Sequence, residues 1–90
     1  MPLRVDNIRR TLEAVLAPTR LDIDDDSHRH AGHAGAKGGG HYRVFVVSAK
    51  FSGRSLIARH RMVYEALADQ MKGDIHALSL VTKAPEEVVE

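Results

Sequence analysis

The sequence predicts an α+β fold in which helices cover one face of a small sheet. Three observations carry this: a helical stripe of apolar residues that a proline ends, a β-branched and aromatic run near the middle, and a second helical stripe followed by another apolar run. At 90 residues the chain is long enough for one domain, 1–90. A domain of this size buries only about 60–65% of the surface its unfolded chain exposes, so the core must be thin.

Over residues 4–17, Val5, Ile8, Leu12, Val15 and Leu16 recur at spacings of three and four, which predicts an amphipathic helix. Arg9, Arg10 and Glu13 fall on its wet side, and Pro18 stops it by pushing the preceding residue out of helical conformation. Leu21 and Ile23 then alternate with Arg20, Asp22 and Asp24, the pattern of a short half-buried strand. Residues 25–40 combine acids, histidines and glycines without periodicity and read as a flexible loop, with Gly38-Gly39-Gly40 giving the most backbone freedom. A connection this long inside a small domain is often functional.

Tyr42-Arg43-Val44-Phe45-Val46-Val47 is predicted to be the central strand. Lys50-Phe51-Ser52-Gly53 turns toward a helix with Ser55 as its N-cap. Leu56, His60, Val63, Tyr64, Leu67 and Met71 form the apolar stripe of that helix, and Gly73 stands where its C-terminal cap belongs. Residues 75–82 make a third strand, and Pro85 opens a last short helix. The order is αββα(α)β, with a three-stranded mixed sheet.

Composition narrows the function. Thirteen Lys and Arg against twelve Asp and Glu give a net charge of +1. The acids cluster at Asp22, Asp24, Asp25 and Asp26, whereas Lys50, Arg54, Arg59 and Arg61 lie in a stretch free of acids, so a local basic patch is expected. There is no cysteine, which removes disulfides, thiolate nucleophiles and any cluster built on this chain's own sulfur. No G-x-S-x-G, Walker or dinucleotide pattern occurs, so the chain is not expected to be an enzyme. No apolar run is long enough to span a membrane and the first residues hold no secretory signal, so the expected location is the cytoplasm or an organelle matrix.

Three segments share a resemblance. Phe51-Ser52-Gly53-Arg54-Ser55-Leu56-Ile57-Ala58-Arg59-His60-Arg61-Met62-Val63-Tyr64-Glu65-Ala66-Leu67 resembles the F-x-G…R-H-R signature of the BolA family. His41-Tyr42-Arg43-Val44 resembles that family's histidine-led second strand, and Asp74-Ile75-His76-Ala77-Leu78-Ser79-Leu80 its V-H-A-L third strand. The three occur in the family's order and cover most of the chain.

The resemblance implies a class II KH-like fold. It also implies a non-enzymatic adaptor that pairs with a monothiol glutaredoxin and shares a [2Fe–2S] cluster with it and with glutathione, in iron–sulfur assembly or iron signalling. The alternative it implies is a DNA-binding, stress-related transcriptional regulator. Carried over by position, the cluster ligands are His76 and a histidine of the loop, His30 first, with His28 and His33 as further candidates. Without thiolates of its own the chain would hold no cluster stably alone. The free protein is expected to be a monomer or weak homodimer. Gly35-Ala36-Lys37-Gly38 has the letters of a KH nucleic-acid loop but does not open a helix, so KH-style RNA clamping is not expected.

Each site residue also has a plain structural alternative. His76 alternates with Ile75 and Ala77 and could simply pack at a sheet edge, whereas H-x-H-x-x-H over residues 28–33 could close on zinc or nickel by itself. His60, on the apolar stripe, reads as a hydrogen-bonded core histidine, and His41 as structural. Lys50, Arg54, Arg59 and Arg61 fit phosphate contacts, an acidic or glutathione-bearing partner face, or a solvated helix start.

Overall fold

The computed structural model describes residues 3–26 and 40–88. Helix α1 spans Leu3–Leu16, strand β1 Arg20–Asp25, strand β2 Gly40–Val47, helix α2 Leu56–Ala66 and strand β3 Ile75–Lys83. Short 3₁₀ turns occupy Ala49–Phe51, Gln70–Lys72 and Pro85–Glu87. The sheet order is β1-β2-β3, with β1 antiparallel and β3 parallel to the central β2. This is the predicted α+β arrangement with a mixed sheet. Both strands beside the loop reach further into 25–40 than expected, since Asp25 pairs with Tyr42 and Gly40 already belongs to β2.

One sheet face carries the core. Strand alternation turns Tyr42, Val44 and Val46 inward, with Leu21 and Ile23 beside them on β1 and Leu78 and Leu80 on β3. Ile8, Leu12 and Leu16 of α1, Val63 and Leu67 of α2, and Phe51 complete the layer, each essentially inaccessible to water. Burial of such side chains contributes roughly 1.5–3 kcal/mol apiece. The opposite face exposes Asp22, Asp24, Arg43, Ser79 and Val81 around Phe45, which the Arg20 guanidinium covers at 5.0 Å from the ring centre.

Polar joints close the layer. The Ser48 hydroxyl, fully buried, donates to the terminal Leu16 carbonyl of α1 at 2.6 Å and accepts from the Lys50 N–H at 3.1 Å. Ala17 follows in left-handed conformation, φ 44°, and Pro18 then bars continuation of the helix. Gly53, φ 75°, makes the turn that a side chain would strain, and Ser55 caps α2 by accepting the Ala58 N–H.

Two expectations are corrected. Val15 and Tyr64 are exposed and Leu56 more so, because each helix buries a strict i, i+4, i+8 line and these residues lie off it. In α1 that line is Ile8, Leu12 and Leu16; in α2 it is Arg59 and Val63, continued by Leu67 at the C-cap. Helix α2 ends at Ala66 rather than running to Gly73, and the chain takes a 3₁₀ turn at Gln70–Lys72 that the Gln70 amide ties to the Thr11 hydroxyl of α1. The last short helix expected at Pro85 is a single 3₁₀ turn, Pro85–Glu87, with the proline at its start.

The helix phase sets a contrast. Leu12→Ala should cost about 2–5 kcal/mol, whereas Val15→Ala should stay within about 0.5 kcal/mol. Chemical denaturation of the two variants measures both, and equal losses would mean α1 is rotated from this placement.

Candidate functional site

Gly40 at the head of β2 begins the site. A Cβ there would overlap the ring of Tyr42, which folds back over it on the buried face. Glycine is therefore required by close approach, and its N–H is held by the Asp74 carbonyl at 3.0 Å. That bond fixes the start of β3 against the start of β2.

The register then slips. Gly40 pairs with Ile75 but His41 pairs with Ala77, so His76 is the extra residue of a bulge. Bulges re-aim side chains and are common beside functional sites. Here the slip brings the His76 ring to 5.1 Å from the His41 ring, centre to centre, with planes tilted by 50°. His76 is exposed and His41 half-buried. The His41 carbonyl accepts the Asp26 N–H at 2.7 Å, which sets the acidic end of β1 beside it.

His76 lies on the edge strand β3, and its neighbour is His41, for which the sequence alone suggests only a structural role. His28, His30 and His33, with the Gly35–Gly38 letters, lie outside the described residues. Among the described residues no three His, Asp or Glu side chains are grouped closely enough to hold a metal together.

The basic stretch divides. Lys50, Arg54 and Arg61 are exposed, and Arg54 also donates to the Lys50 carbonyl at 3.1 Å. Arg59 is not a surface cation, contrary to expectation. It is buried, and its guanidinium forks onto Glu87, with Nη1 to Oε1 at 2.7 Å and Nη2 to Oε2 at 2.9 Å. The remaining donors reach the Arg54 carbonyl at 2.9 Å and the Thr82 carbonyl at 3.3 Å. Leu56 and Ile57 stand exposed beside Arg54 and Arg61 at the start of α2, and His60 is half-buried.

The ion pair shifts its own groups. Hydrogen bonds from Arg59, and then the Ala84 N–H at 2.8 Å, hold the Glu87 carboxyl at about 2, against an ordinary value of 4.5. The same bond raises the Arg59 guanidinium further. A depressed carboxylate stabilises the fold fully above its unfolded value and loses that contribution as pH falls. Stability should thus decline from about pH 4.5 toward pH 2 in part through this pair. Glu87→Gln should unfold at lower temperature at pH 7 and show a flatter pH dependence across that window. Thermal melts at several pH values measure it, and an unchanged slope would assign the acid sensitivity to other carboxylates.

Comparison with known proteins bears on the fold and the family. A family model described as BolA-like protein matches residues 12–87. The chain is 44% identical over 87 residues to SufE-like protein 1, chloroplastic/mitochondrial, of Arabidopsis thaliana, covering 90% of this chain and 24% of that protein. It thus spans about a quarter of that relative's length. It is 37% identical over 82 residues to the DNA-binding transcriptional regulator BolA of Escherichia coli strain K12, covering 91% of this chain and 76% of that one. Among solved structures, the BolA domain of SufE1 from Arabidopsis thaliana superposes with a TM-score of 0.83 at 44% identity, covering 94% of this chain and 95% of that domain.

Proposed function

The chain belongs to the BolA-like protein family, and we propose that it serves as a non-catalytic adaptor that pairs with a monothiol glutaredoxin and shares a [2Fe–2S] cluster with it. The observation that carries this reading is His76, an exposed imidazole on the bulge of β3 in a chain that has no cysteine. The chain's own donors for a soft metal centre are nitrogen, so the thiolates must come from a partner and from glutathione. A cluster held by His76 on this side and by the partner's thiolates on the other would carry less negative charge and a higher potential than an all-thiolate one. A histidine ligand would also compete with protons, so this chain's hold on the group would weaken at lower pH.

What the residues of this chain do follows from their placement. His76 is exposed on the edge strand, and the Gly40 N–H bond to the Asp74 carbonyl holds β3 in register beside β2. His30 of the loop is the second ligand that the family resemblance implies. Among the described residues no helix is long and apolar enough to cross a membrane. The proposed setting is the cytoplasm or an organelle matrix, where glutathione is available.

Anaerobic mixing with a monothiol glutaredoxin, glutathione, iron and sulfide tests the reading. A heterodimer with cluster absorption is expected, and His76→Ala should change the spectrum and destabilise the coloured complex by tenfold or more, on the order of the loss of one metal ligand. An identical spectrum and lifetime would remove His76 as a ligand.

A second reading is favoured by one observation, the exposed Lys50, Arg54 and Arg61 around the start of α2, together with the name of the Escherichia coli relative. These cations would bind phosphates and so position the protein on DNA. Replacing all three with alanine should flatten the salt dependence of DNA affinity by a slope of about 2–3, one unit of ~0.9 per lost phosphate contact. An unaltered affinity and slope would exclude this face. Arg59 takes no part, because its guanidinium is spent on Glu87.

A further inference from the structure

We propose that the open face of the sheet docks a second copy of this chain, turned end for end. Phe45 and Val81 form the centre of the contact, and Arg20 meets the partner's Asp24. The proposal goes beyond the glutaredoxin and DNA readings and rests on neither.

This face departs from the pattern of a solvated sheet. Where helices cover one side only, strand alternation should put polar residues on the other. Here the middle row is apolar, since Asp22 pairs with Phe45 and Phe45 in turn with Val81. Val81 is 48% exposed, and Phe45 is half-buried beneath the Arg20 guanidinium. Together with Val44 and Ser79 they border a shallow hollow, which Asp22, Asp24 and Arg43 rim. An apolar centre within a charged rim is the anatomy of a protein–protein contact.

The charges say which protein fits. Arg20 and Lys83 stand in the row of Val47, whereas Asp24 stands beside Arg43, on the other side of the Phe45 row. A two-fold axis running across the strands at Phe45 reverses the second copy along the strand direction. It lays Phe45 against Phe45, Val81 against Val81, and each Arg20 over the partner's Asp24. The Arg20 side chain is 62% exposed and bonds its own Asp22 at 2.8 Å, so it bridges that carboxylate and the second one. Asp22 falls near the axis, where the two guanidiniums offset the two carboxylates. Arg43 is held by Asp26 at 2.8 Å. A polyanion is disfavoured here, because Asp22 and Asp24 would face its phosphates.

Extent sets the strength. Three strands present a face roughly 15 Å wide and about 20 Å long. That is ~300 Å² per copy, well short of the ~800 Å² per partner of a standard interface. Association should therefore be weak, with a Kd on the order of 100 μM. Two sheets stacked in this way pack about 10 Å apart with their strands some 30° off alignment. Both helices lie on the far side of the sheet, so the dimer leaves the start of α2 uncovered.

Sedimentation equilibrium of the isolated full-length chain, from about 10 μM to about 1 mM, tests the proposal. The mean mass should rise toward twice the monomer mass across that range. Val81→Lys should weaken the dimer at least about tenfold, with amide spectra showing that the variant stays folded. Arg20→Asp and Asp24→Arg, each of which sets like charges face to face, should weaken it by about tenfold. The two combined should restore the affinity to within about threefold, because the exchange re-forms both pairs. Ile57→Lys, exposed on the helix layer, should leave it unchanged. A monomer mass at every concentration would overturn the proposal, as would a dimer that survives Val81→Lys or is lost in Ile57→Lys. Failure of the combined charge exchange to rescue the single variants would overturn the end-for-end docking.

Discussion

The buried fork between Arg59 and Glu87 decides how the rest of the chain is arranged. A guanidinium taken out of water without partners is very costly, so Arg59 can face the core only where acceptors surround it. Glu87, Thr82 and Arg54 supply them from the C-terminal turn, the third strand and the segment before α2. With Arg59 inward, Val63 and Leu67 follow inward at four-residue steps. Leu56, Ile57 and Tyr64 are thereby turned out, and the basic side chains Arg54 and Arg61 stay at the surface. One ion pair thus fixes the rotation of a helix, the anchorage of the C-terminal turn and the composition of an exposed face.

A second constraint is steric and acts at the other end of the sheet. Tyr42 folds over Gly40, and this leaves no room for a side chain there. The slipped pairing that follows delivers His76 to His41. Strand β2 runs eight residues from Gly40 to Val47, a length of about 25 Å, so the imidazole pair and the basic start of α2 lie at opposite ends of the sheet. A metal-dependent partner at one end and a polyanion at the other would not compete for the same atoms.

Much of the architecture was legible because it is written in local periodicity. The stripe ending at Leu16, the proline after it, the Tyr42–Val47 run and the Ser55 cap each depend on neighbours in sequence. What stayed hidden depended on partners far along the chain. Arg59 comes just before His60 and Arg61 in a basic run, and only Glu87, which arrives twenty-eight residues later, makes it a buried residue. The apolar letters of Leu56 and Tyr64 fitted a helical stripe as well as Val63 and Leu67 do, so periodicity alone could not set the phase. His41 could not be linked to His76, because parallel register and a one-residue slip have no signature in sequence. The motifs around His76 did mark that residue, and the structure places it at an accessible edge.

The pairing of β2 with β3 has a kinetic side. Parallel neighbours cannot close through a tight hairpin, and here the whole of α2 must be threaded between them before the ladder can form. Contacts so distant along the chain slow folding, since loop closure precedes any reward. During synthesis the first helix, the antiparallel β1–β2 pair and α2 all emerge before Ile75 does. Until then β2 carries an open edge, and His41 has no second imidazole beside it. The two rings meet only in a molecule whose last strand has docked, so their proximity is a property of the finished chain and marks the completion of its fold.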